Sequence, residues 1–197
     1  MTTTAPSSVS LRLPRGWLEL DPRADDIVAE LRRTVGDRGR GQLAEDELLS
    51  LLAPLGLELR RLGTAAEIVL VGLYTDVVPV DGSDVPLVVT AHAMLAVSPP
   101  IASLDALRRE LAEGTENVDL AAGPAVRQSG MTSVGHPDWD EAVPAYRRRF
   151  FVPLPGTDRL ATLTFLTPNT GLAEVFADVF DAVADTLTFR WDPGADG

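Results

Sequence analysis

The chain has 197 residues, 45% of them hydrophobic, and 29 acidic against 17 basic side chains leave it with a net charge of −12. That length suits one domain, or one domain with an insertion, and the composition suits a chain that folds around an apolar core. The charge argues against nucleic acid and anionic membranes, both of which need a cationic face, while the lack of cysteine removes disulfides and thiolate chemistry.

All the basic residues are arginine, so lysine Schiff bases and lysine-dependent phosphate loops are excluded, and the bias fits a high-GC bacterial coding sequence. No apolar run reaches the roughly 18 residues that cross a bilayer. The opening residues lack the basic and apolar regions of a secretory signal, so a cytoplasmic location without membrane insertion is the expectation.

In chain order, residues 1–8 read as a disordered lead. Val9–Leu13 alternates apolar and polar residues and predicts a strand, Pro14–Gly16 a turn, and Trp17–Leu20 a second short strand. Asp21 with Pro22 is a helix start, and Ile27, Val28, Leu31 and Val35 have helical spacing. Leu43–Leu62 carries a broad leucine stripe interrupted by Pro54, so 21–62 reads as a helical insertion. Ala65–Val80 and Val85–Val97 predict a hairpin across Asp81–Asp84. A short helix follows from Ser103 to Gly114.

Ala125–Val134 predicts a strand that runs into a polar, irregular stretch from Gln128 to Glu141. Ala145–Leu154 and Arg159–Thr167 predict a last hairpin. Leu172, Val175, Phe176, Val179, Phe180, Val183 and Leu187 then place one apolar stripe on a closing helix, which requires a flat apolar partner such as a sheet. Residues 192–197 read as a disordered tail.

The polar inventory shows no catalytic motif. His92 lies within a predicted strand, where a hydrogen-bonded sheet histidine is the expectation, and it has no companion nucleophile at informative spacing. His136 shares a loop with Asp138, Asp140 and Glu141, a set that reads as a solvated acidic loop and lacks the convergent ligands of a metal site. No metal and no cofactor are expected. The run Arg147, Arg148, Arg149 concentrates positive charge on an acidic chain. In a strand, Arg147 and Arg149 share one face and Arg148 takes the other, and at least one of the three guanidiniums is expected beneath a helix, where it would need a carboxylate partner. The alternatives are edge charges paired with Asp138, Asp140 and Glu141, or a docking site that holds carboxylates bidentately. Trp139 is either tucked onto the sheet edge or an exposed anchor.

The segment Val9-Ser-Leu-Arg-Leu-Pro-Arg-Gly-Trp-Leu18 resembles the opening of the Mog1/PsbP-like proteins, which include DcrB-type bacterial domains. Val118–Arg127, Tyr146–Gly156, Ala161–Asn169 and Val175–Phe189 resemble their post-helix strand, last hairpin and closing helix. The resemblance spans the chain outside 21–62 and implies a family of partner-binding proteins without a shared active site. The expectation is therefore a single α+β domain over 9–191: an α/β/α sandwich with a central, mainly antiparallel sheet and helices on both faces. Its expected role is a non-catalytic protein-binding or adaptor, chaperone-like module whose partner is another protein and not nucleic acid. The expected partner-binding residues are His136, Trp139, Arg147, Arg148 and Arg149. The alternatives are a small ligand-binding protein or enzyme with a site under the 21–62 helices, and a structural subunit of a larger assembly.

Overall fold

The computed structural model describes residues 6–22, 66–82, 86–100, 104–111, 114–134 and 142–191. The strands are β1 (Ser8–Ser10), β2 (Leu18–Leu20), β3 (Glu67–Val78), β4 (Leu87–Val97), β5 (Thr115–Leu120), β6 (Gly123–Val134), β7 (Val143–Pro153), β8 (Leu160–Thr167) and β9 (Thr188–Arg190). The helices are α1 (Leu104–Leu111) and α2 (Ala173–Ala184), the second entered through a 3₁₀ turn at Thr170–Leu172.

Strands β2-β3-β4-β8-β7-β6-β5 form one seven-stranded sheet, antiparallel at every pairing, and β1 pairs with β9 separately. Three hairpins (β3–β4, β5–β6 and β7–β8) and the β6–β7 pairing supply most of this order from local connections, the arrangement antiparallel strands favour.

The expected α/β/α sandwich is corrected by this architecture. Strands hold 54% of the described residues, and the two helices among them are short. Helix α2 covers one face of the sheet. Helix α1 has only eight residues and touches the other face at one corner, where Leu104, Leu107 and Leu111 pack on Val126, Phe151 and Leu160. An eight-residue helix is about 12 Å long and cannot form a layer over seven strands spaced about 4.8 Å apart. The predicted helices within 21–62 lie outside the described residues, apart from Asp21 and Pro22.

The α2 face holds the main core. Phe180 is fully buried and stacks on Phe165 of β8, with ring centroids 4.8 Å apart. Phe176 stacks on Phe180, and Phe150 of β7 meets Phe165 edge-on. Val183, Ala184 and Leu187 complete the buried stripe. Val175, placed in that stripe by its spacing, is 63% exposed. One residue before Phe176, and so about 100° around the helix, it has rotated off the sheet, because a flat partner accepts a narrower arc than the full apolar stripe.

The segment after β1 lies on the same face. It approaches so closely that a Cβ on Gly72 would sit 2.6 Å from the Leu13 side chain, which would have to shift to admit it. Ser7 donates to the Arg190 carbonyl, which ties the chain's start to β9.

Three boundaries differ from the sequence expectation. Thr115–Leu120 is an edge strand, although only Val118 and Leu120 in it are apolar and half of its residues are exposed. Gln128–Val134, expected to be irregular, continues β6 as regular strand. β9 closes on β1 over 178 residues of chain separation. Polar strands like these lack the apolar alternation by which strands are recognised.

Candidate functional site

The arginine run sits in the middle of β7. Its alternation sends Arg148 to the α2 face and Arg147 and Arg149 to the opposite face, hereafter the second face. On the α2 face, Arg148 is 8% exposed. It grips Asp181 of α2 through Nε to Oδ1 at 2.6 Å and Nη2 to Oδ2 at 2.5 Å, and donates through Nη1 to the Tyr146 hydroxyl at 2.8 Å. Arg127 of β6 reaches the same Asp181 at 2.6 Å and Glu116 of β5 at 2.7 Å. Burial pulls the Arg148 guanidinium down, but its bonds to Asp181 and Tyr146 outweigh this and hold it above its ordinary value. Arg148 is therefore a structural tie between sheet and helix. Its donors to Asp181 and Tyr146 are committed within the chain.

On the second face, Arg149 holds the side chain of Gln128, its register partner on β6, and lies over the Phe151 ring at 5.4 Å. Gln128 in turn donates to the Leu111 carbonyl at the end of α1. The Arg147 side chain is half-buried and makes no hydrogen bond or ion pair to any described residue. Its register partner on β6 is Gly130, and a Cβ built on Gly130 would meet nothing within 4 Å. A guanidinium thus stands beside an open gap in the carpet of side chains. Arginine presents several donors in a planar fork, so this gap suits a carboxylate from outside the chain.

Farther along the same face, β4 buries His92 and Thr90. His92 follows Leu166 and Arg147 in one row across β4, β8 and β7. Both His92 ring nitrogens and the Thr90 hydroxyl are buried without a hydrogen-bond partner. The expected hydrogen-bonded sheet histidine is corrected accordingly. Burial pushes the His92 pKa down to about 4, so the ring is neutral near pH 7. A neutral imidazole keeps one donor and one acceptor, and leaving both unsatisfied costs about 1–3 kcal/mol for each group.

His136 and Trp139 lie outside the described residues, as do Asp138, Asp140 and Glu141. Among the described residues no group of three His, Asp or Glu side chains could hold a metal ion. No helix among them is long and apolar enough to cross a membrane. The sequence reading missed Gly130, Gln128, Arg127, Asp181 and Thr90 as participants. For the first two, the available signal was the even-numbered alternation Val126, Gln128, Gly130, Thr132, which continues one face of β6 past its last buried residue. Asp181 and Arg127 are joined to Arg148 only by tertiary contact. No family model, curated protein or solved structure matches the chain.

Proposed function

We propose that this chain is a non-catalytic protein-binding module of adaptor type that engages its partner through the second face of the sheet. The observation that carries this reading is Arg147, a half-buried guanidinium with no bonded partner among the described residues, beside the open space over Gly130. The other sheet face is occupied by α2, and its arginines are neutralised by Asp181 and Glu116. Among the described residues no Ser or Thr hydroxyl is bonded to a His, Asp or Glu side chain, the relation from which most acyl-transfer chemistry is built. The test is affinity capture with the full chain, followed by calorimetric titration of the purified captured protein against wild type and Arg147→Glu. A loss of affinity of about tenfold or more in the variant supports the reading. Unchanged affinity overturns it.

A second reading, a small-ligand-binding protein, is favoured by the Thr90 and His92 groups that lie buried and unbonded on the same face. A small molecule with one donor and one acceptor would satisfy the imidazole. Imidazole NMR resonances that shift with a bound small molecule, and no longer do so in His92→Leu, would move the assignment to this reading.

A further inference from the structure

We draw no further inference here: the strongest candidate, the cluster of buried and unbonded His92 and Thr90 side-chain groups at the middle of β4 on the second face, belongs to the site already described, and nothing among the described residues shows what covers it.

Discussion

Arg147 and Arg148 are adjacent in the chain and share one strand, yet the two faces of the sheet use them in opposite ways. Beneath α2, Arg148 is enclosed and bonded to Asp181 and Tyr146, and the neighbouring Arg127 shares Asp181 and pairs with Glu116. On the second face, Arg147 keeps its donors beside an open gap. The difference teaches how to rank charged residues in such a sheet. A charge that is buried must find its counter-charge within the chain, because leaving it unpaired costs several kcal/mol, and it is then unavailable to a partner. A half-buried charge next to missing side-chain volume is under no such obligation. The same contrast holds for uncharged groups: the α2 face is closed by stacked aromatic rings, whereas the second face buries the His92 ring nitrogens and the Thr90 hydroxyl without bonds.

The comparison breaks most visibly at the aromatic stack. Phe180→Ala should lower stability by about 3–5 kcal/mol, measured by urea denaturation, because it opens a cavity between Phe165 and Phe176. A loss below about 1 kcal/mol would mean that α2 does not seal this face.

The next effect belongs to His92. Its folded pKa of about 4 lies below the ordinary value of 6.5. The unfolded chain therefore takes up the proton first, and the His92 contribution is intact above pH 6.5 and lost as pH falls towards 4. Over that window the loss should approach about 3 kcal/mol. His92→Leu should flatten that part of the stability profile and raise stability near pH 7 by about 1–3 kcal/mol, because it removes two unsatisfied ring nitrogens. Identical profiles for wild type and variant would show that His92 is solvated or bonded in solution.

Asp181→Ala should cost about 2–3 kcal/mol. This is less than a fully buried pair would lose, because the Asp181 side chain is 36% exposed. The loss should largely vanish in a background where Arg148 is replaced by Met, a double-mutant cycle that isolates the tie between helix and sheet. The smallest effect is expected one residue away: Arg147→Ala should shift the urea midpoint by no more than about 0.5 kcal/mol in stability. A large destabilisation there would place Arg147 in the fold rather than at its binding surface.

Local patterns in the chain carried much of the framework. The β-branched runs of β3 and β4, the hairpin of β7 and β8, and the phenylalanine spacing of α2 all follow from repeats of two and of about 3.6 residues, which backbone geometry sets within a few turns. The alternation of Arg147, Arg148 and Arg149 between faces is of the same kind, since successive strand side chains must point to opposite sides. What surrounds each face is not local. That Asp181 lies over Arg148, that Gly130 stands opposite Arg147, and that Val175 turns to solvent depend on register and on a helix packed from 33 residues away. The number of helical layers is equally non-local, and the expected sandwich failed on that point. An amphipathic stripe requires an apolar partner, but it does not say how much of the sheet that partner leaves uncovered. Sequence periodicity therefore determined which side chains share a face, and tertiary packing alone decided which of them are paired, sealed or left open to a partner, because pairing energy depends on distance in space rather than along the chain.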